Sequence, residues 1–283
     1  MAEPGTIYIV STPIGNLEDI TLRAVRILGE VDCIAAEDTR RTRTLLEHLG
    51  ISTRMVSYHD ATEARRAPAL IDRVRAGETI ALVSDAGTPL VADPGYRLVA
   101  LAAAEGLRVV PVPGASAPLA LLAVSGLPTD RFRFIGFLPA RAKARRDRIA
   151  SLVKEEDTIV LFESARRLAR TLEDLVEILG VRPAVIGREL TKKYEEVLRG
   201  DLPFLAQAVA EKDVLRGEIV LAIGRSLVEP SVESRLETAE ISLQERLAAG
   251  ESVSRAARAI AEESGLSRRE IYALAHPKDV PER

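Results

Sequence analysis

Three short segments of this chain combine small residues with proline or glycine just where an apolar run stops. They are Ser11-Thr12-Pro13-Ile14-Gly15-Asn16, Ser84-Asp85-Ala86-Gly87-Thr88-Pro89 and Pro113-Gly114-Ala115-Ser116-Ala117. Residues of this kind leave main-chain N–H and C=O groups open to a ligand. In an α/β sheet, ligands settle beyond the carboxyl ends of strands, where loops diverge and helix N-termini point. Asp85 adds an acceptor for hydroxyls or for a positive group. One such segment is an ordinary turn; three in one stretch of chain, each after a strand, point to a single shared pocket. Common nucleotide and hydrolase signatures are missing: no Gly-x-Gly-x-x-Gly follows the first strand, and there is no Gly-x-x-x-x-Gly-Lys-Ser/Thr and no Gly-x-Ser-x-Gly.

The elements that must position these segments are legible as alternating apolar patterns. Buried strands are expected at Ile7–Val10, Cys33–Ala36, Thr79–Val83 and Arg108–Val112, and helices at Thr21–Gly29, Thr42–Leu49, Pro68–Ala76 and Gly95–Glu105. The helix at Pro68 is read as opened by that proline and closed by Gly77. The pattern then restarts. Strands are expected at Arg133–Phe137, Thr158–Phe162, Ala184–Ile186 and Glu218–Ile223, with helices at Lys143–Lys154, Ala165–Leu179 and Phe204–Lys212. Strand–helix alternation at this spacing predicts α/β layers on a parallel or mixed sheet.

The expected division is 1–115 for a first α/β domain, 116–228 for a second, with a linker over 226–232, and 234–283 for a small helical piece. That last piece carries two capping-box patterns, Ser242-Leu243-Gln244-Glu245 and Ser267-Arg268-Arg269-Glu270, and glycines at 250 and 265 where helices should stop. Three short helices follow, at Ser242–Ala249, Val253–Glu263 and Arg268–Ala275, the last two joined as in a helix-turn-helix. The tail either caps the body or touches nucleic acid.

Composition bounds the function. The chain has 283 residues, 47% hydrophobic and 29% charged, with a net charge of -3. This is globular, and any polyanionic partner must be met by a local patch. The single cysteine, Cys33, excludes an intramolecular disulfide and fits a reducing cytoplasm. The histidines, His48, His59 and His276, are too scattered for a metal site of known spacing. No apolar run approaches the length of a membrane span, and the N-terminus has no signal-peptide pattern.

Six segments in order carry a resemblance: residues 11–21 (STPIGNLEDIT), 36–40 (AEDTR), 84–89 (SDAGTP), 113–117 (PGASA), 136–139 (GFLP) and 187–192 (GRELTK). From residue 6 to about 224 the chain resembles the tetrapyrrole methylase superfamily, in its branch of ribosomal RNA 2′-O-methyltransferases, and the tail resembles that branch's helical appendage. The resemblance implies a two-domain tetrapyrrole methylase-like α/β fold (a class III S-adenosylmethionine methyltransferase) with a small all-helical C-terminal appendage. It implies S-adenosyl-L-methionine as methyl donor in a cleft between the two α/β domains. It further implies a cytidine ribose 2′-hydroxyl in the decoding region of 16S rRNA as acceptor, and a homodimer. By position, Pro13, Asp85, Ala86, Gly87, Ser116 and Ala117 are its cofactor-binding residues. At 162–167 the chain reads Phe-Glu-Ser-Ala-Arg-Arg, departing from a family pattern that has Pro-His before the last arginine.

Methyl transfer to a ribose hydroxyl needs the donor positioned and the hydroxyl proton removed, by a general base or with a cation steadying the developing alkoxide. Candidates by position are Glu37, Asp38, Glu163, Glu189 and Lys192. An equally simple reading makes Glu37-Asp38 a helix start and Arg188-Glu189 a surface ion pair. No metal is demanded. RNA would be gripped by Arg40, Arg41 and Arg43, and by Arg141, Lys143, Arg145 and Arg146, with Arg268 and Arg269 in the tail as weaker candidates. Five Phe, five Tyr and no Trp make aromatic stacking a minor contributor. Two other functions share these residues: methylation of a corrin precursor or other small molecule, and a helix-turn-helix regulator with a ligand-sensing body.

Overall fold

The computed structural model describes residues 5–212, 216–225 and 232–275. Residues 1–226 form one compact unit and 227–283 another.

In the first unit, the chain begins with β1 (Thr6–Val10), α1 (Leu22–Glu30), β2 (Cys33–Ala36), α2 (Thr39–His48), β3 (Met55–Ser57), α3 (Asp60–Arg75), β4 (Ile80–Val83), α4 (Tyr96–Ala104) and β5 (Arg108–Val112). These strands form one sheet in the order β3-β2-β4-β1-β5, with every pairing parallel. A parallel sheet is covered on both faces, which is why its central strands are near-continuous apolar runs. On one face Ile7, Ile80 and Leu82 pack against Leu70, Ile71 and Val74 of α3 and Leu98 of α4. On the other, Val10, Ile34 and Val83 pack against Ala24, Ile27 and Leu28 of α1 and Leu46 of α2. With all five strands parallel, the loops after β1, β2, β4 and β5 emerge at one edge.

There follow α5 (Ala117–Ser125), β6 (Phe132–Phe137), α6 (Ala142–Ala150), β7 (Thr158–Ser164), α7 (Ala165–Leu179), β8 (Pro183–Arg188), β9 (Glu196–Asp201), α8 (Leu202–Ala210) and β10 (Glu218–Ile223). The second sheet runs β6-β7-β10-β8-β9. Only β6–β7 is parallel; the other pairings are antiparallel, so the sheet is mixed. Leu168, Leu172, Leu175 and Leu179 of α7 recur at helical spacing and cover one face of it. Each such burial contributes about 1.5–3 kcal/mol. The other face, through Val160, Val185 and Val220, meets Leu121 and Leu122 of α5 and Ile14 of the first loop, which joins the two sheets.

In the second unit, α9 (Val232–Ala248), α10 (Val253–Ser264) and α11 (Arg268–Ala275) share a core of Leu243, Ala257, Ile260, Leu266 and Ile271. Gly265, at φ 67, ends α10 in the left-handed region, and the box at Ser267 forms in full: the Glu270 amide donates to Ser267 Oγ at 3.2 Å while Glu270 Oε2 accepts from the Ser267 amide at 2.7 Å.

Several expected boundaries move. Pro68 does not open α3 but sits exposed inside it; the helix starts at Asp60, capped at His59 and Thr62. Strands β3 and β9 were not expected. Helix α6 ends at Ala150 rather than Lys154, the chain leaving in consecutive turns. Ser242 does not cap a helix, because α9 runs straight through it from Val232. The linker expected at 226–232 lies, but for Val232, outside the described residues, as does His276.

Candidate active site

The three small-residue segments are stitched to one another. Thr12 and Gly87 exchange main-chain hydrogen bonds at 2.8 and 3.0 Å, forming a short antiparallel bridge. The Ser11 amide donates to Val112 O at 3.1 Å, Ser11 Oγ meets Thr88 Oγ1 at 2.9 Å, and Thr88 Oγ1 donates to Ala115 O at 3.3 Å. Glycine is required where the loops press together: a Cβ on Gly114 would stand 2.9 Å from Ser11 Cβ. The β2 loop is tied in reciprocally, the Asp85 amide donating to Glu37 Oε2 at 3.1 Å and the Asp38 amide to Asp85 Oδ1 at 3.0 Å.

These loops form one wall of a cleft of about 430 Å³. Ala86, Gly87, Ser116 and Ala117 line it together with Glu37, Arg41, Asp85 and Asp93. The opposite wall comes from the second sheet and its loops: Phe162, Glu163, Leu190, Gly217 and Val220. Two of its apolar lining residues, Val91 and Leu190, each sit between neighbours in the left-handed region (Leu90 at φ 72 and Ala92 at 67; Glu189 at φ 50 and Thr191 at 66). Such conformations cost about 1–3 kcal/mol each and cluster at functional sites.

The cleft is acidic. Burial, followed by the nearby Glu37 charge, pushes the Asp93 carboxyl up to about 6. Burial also raises Glu37, and its amide hydrogen bond from Asp85 only partly opposes this. Carboxylates crowded in this way favour a cationic guest. Main-chain walls that cannot accept a side chain are a second fitting feature: Gly87 has φ +77, and a Cβ there would lie 3.3 Å from Ile14 Cγ2. A sulfonium donor with a polar tail fits this cleft, which Asp85, Ala86, Gly87, Ser116 and Ala117 line. Pro13 lies elsewhere, in a second hollow beside the first.

The expected acid–base residues separate. Asp38 caps α2, accepting from the Arg40 amide at 2.9 Å, and is pulled down to about 2 by the Arg40 side chain. It is a poor proton acceptor at neutral pH. Glu163 has a fully buried side chain and is consumed by structure: it accepts from the Ser164 amide at 2.7 Å and Thr171 Oγ1 at 2.8 Å, with Arg167 Nη2 at 3.3 Å. Lys192 is clamped between Glu189 Oε1 at 2.9 Å and Glu218 Oε2 at 3.1 Å. Those partners outweigh burial and raise it, while Glu189 is lowered by the Glu218 amide and by Lys192. Lys192 is therefore held charged, and its stem fills the space against Gly15, where a Cβ would come within 2.3 Å of Lys192 Cγ. Glu37 alone of the five lines the cleft with a raised carboxyl.

The cations divide too. Arg145 does not face solvent: it is 7% exposed, and its Nε donates to Asp174 Oδ2 at 2.7 Å, so it leaves the RNA-binding set. The helical period places it on the buried face of α6 with Ile149. Arg146 also pairs with Asp174, at 2.8 Å, and with Glu177. Arg141 and Lys143 are exposed. On α2, Arg40 pairs with Asp38 at 2.8 Å, Arg41 Nη1 reaches Asp85 Oδ2 at 3.4 Å, and Arg43 is exposed. Sequence reasoning missed Asp93; its signal was the Asp93-Pro94-Gly95 turn at the end of the same loop.

Residues 6–206 match the family model described as Tetrapyrrole (Corrin/Porphyrin) Methylases. A protein of Halalkalibacterium halodurans named ribosomal RNA small subunit methyltransferase I is 45% identical over 281 residues, 97% of this chain and 96% of that relative. The chain belongs to the ribosomal RNA small subunit methyltransferase I branch of the tetrapyrrole methylases. A Mesorhizobium japonicum protein of the same name is 47% identical, over 89% of this chain and 86% of its own length. Uroporphyrin-III C-methyl transferase from Thermus thermophilus, solved in complex with S-adenyl homocysteine, shares the fold: TM-score 0.54 at 21% identity, over 78% of this chain and 97% of that one. As a tetrapyrrole methylase, the chain is an S-adenosylmethionine-dependent methyltransferase. Among the described residues, no helix of this tetrapyrrole methylase is long and apolar enough to cross a membrane.

Proposed function

We propose that this methyltransferase modifies the ribose 2′-hydroxyl of a cytidine in the decoding region of 16S rRNA, on the small ribosomal subunit, as a cytoplasmic homodimer. The observation that carries the reading is the cleft itself, a main-chain wall set among half-buried carboxylates, with unpaired cationic side chains outside it on α2 and α6. The names of its relatives supply the substrate class.

When bound, S-adenosylmethionine supplies an activated methyl group on a sulfonium cation. The stitched loops provide rigid main-chain donors and acceptors, so orientation is fixed before the acceptor arrives. Asp85, Asp93 and Glu37 match positive charge in the cleft. Glu37 Oε2 is held by the Asp85 amide, leaving Oε1 to take the proton of the attacking hydroxyl, a role suited to a carboxyl raised by burial. Arg41, at the cleft edge, attracts the phosphate backbone.

The test uses the purified full chain, labelled donor and small subunits lacking this methyl group. Label on a cytidine ribose of 16S rRNA is expected; label entering a free corrin precursor instead overturns the reading. Glu37→Gln lowers kcat by about 10²–10⁴-fold, on top of any loss of donor affinity from the missing charge; an unaltered kcat removes Glu37 from the role.

A further inference from the structure

Beside the donor cleft lies a second hollow of about 320 Å³. One side is the face of α2 presented at helical spacing by Arg41, Thr44, Leu45 and His48; the other is the first loop, through Pro13 and Leu17. Two residues line both cavities, Arg41 and Asp85, and they are ion-paired to each other at 3.4 Å. That pair is the partition between the hollows. The cleft side of it has bare main chain and crowded carboxylates. The second hollow has a different chemistry: aliphatic Pro13, Leu17 and Leu45, an imidazole, and a guanidinium that is 64% exposed at its mouth.

We propose that the second hollow is the seat of a single unstacked nucleotide of the RNA substrate. This deepens, and rests on, the methyltransfer reading given above. Enzymes that act within structured nucleic acid take the target nucleotide out of its stack, and RNA is read where bases are splayed out. A base lies against Leu17, Leu45 and Pro13, whose exposure is otherwise costly: Leu17 is 42% exposed. The phosphate competes with Asp85 for Arg41. The nucleotide then sits one ion pair away from the donor cleft, so it adjoins the target nucleotide, whose 2′-hydroxyl must enter the cleft itself to come within about 3–3.5 Å of the methyl group. The first loop cannot retreat to enlarge the hollow, because Thr12 is bridged to Gly87 and the Lys192 stem lies against Gly15.

The test fills the hollow from solvent-facing positions that take no part in the donor cleft. Thr44→Trp and His48→Trp are made in the full chain, both residues being exposed on α2. Three quantities are measured: KM for unmethylated small subunits, filter-binding affinity for the same subunits, and calorimetric affinity for S-adenosylmethionine. We expect KM to rise at least tenfold and subunit affinity to fall with it, while donor affinity stays within twofold. Wild-type KM and subunit affinity in both variants overturns the proposal. So does a tenfold loss of donor affinity in both, which would assign the hollow to the donor. A wild-type chain that binds donor yet labels no subunit sinks the methyltransfer reading itself, an outcome seen without either variant.

Discussion

Replacing Arg145 by alanine separates a fold-holding cation from an RNA-gripping one. Arg145 and Asp174 have side chains only 9% and 12% exposed, and their contact is a 2.7 Å hydrogen bond from Nε to Oδ2. Removing one partner of a buried pair costs about 3–5 kcal/mol, since the other is left uncompensated. Here Arg146 Nη1 still holds Asp174 Oδ1 at 2.8 Å, so about 2–3 kcal/mol is expected, roughly 4–12 °C in Tm for a unit of this size. Burial pushes the Asp174 carboxyl up, but the two arginines outweigh it and hold it below its ordinary value of 3.8. A depressed carboxyl contributes stability that is present above the unfolded value and lost as pH falls through the folded one. The gap between wild type and variant therefore narrows on acidification below about pH 4. The assay is calorimetric melting across pH, beside RNA binding across salt. Unchanged melting with a salt slope flattened by about 1 would refute the reasoning and return Arg145 to the RNA. The double change Arg141→Ala with Lys143→Ala is expected to do the reverse: melting within about 2 °C, and a slope flatter by about 0.9 per lost phosphate contact.

Other outcomes follow from the same geometry. Asp93→Asn is expected to stabilise the protein at pH 7 by about 1 kcal/mol once solvent screening of this half-exposed group is allowed for, because a carboxyl raised to about 6 makes the folded state lose stability as pH climbs from 4 to 6; in denaturant melts the gain disappears below pH 4. Gly87→Val is expected to abolish calorimetric donor binding in a chain that still melts cooperatively, given φ +77 and Ile14 Cγ2 at 3.3 Å from the new Cβ; donor binding at wild-type strength would remove the main chain of this loop from the donor site. Ser267→Ala is expected to cost about 1 kcal/mol in the C-terminal unit, read as faster hydrogen exchange in α11.

Much of this architecture is legible in the residues. Helix α7 and strand β10 carry uninterrupted patterns, four leucines at helical spacing and Ile-Val-Leu-Ala-Ile, and their expected ends match the observed ones. The three loops are legible for the same reason they assemble: only small residues let main chains approach so closely. What was hidden is hidden physically. Strand β3 has three half-buried residues, and edge strand β9 carries Glu196, Arg199, Gly200 and Asp201, so neither shows an apolar run. Pro68 reads as a helix start because its ring suits that place, yet an exposed position inside α3 accommodates it. In the site, Asp93 and Arg145 needed tertiary context. A carboxylate's neighbours across a cleft and an arginine's buried partner 29 positions away leave no mark on local spacing.

The lysine stem resting on Gly15 joins two places in the chain that are 177 positions apart into one inherited unit. A methyl group at 15 and the Lys192 stem in its present place exclude each other, so a lineage that acquires alanine at the first must move or shorten the second. Either change takes the ammonium away from Glu189 and Glu218. Covariation here would record a steric debt between two halves of the protein, with electrostatics as its interest.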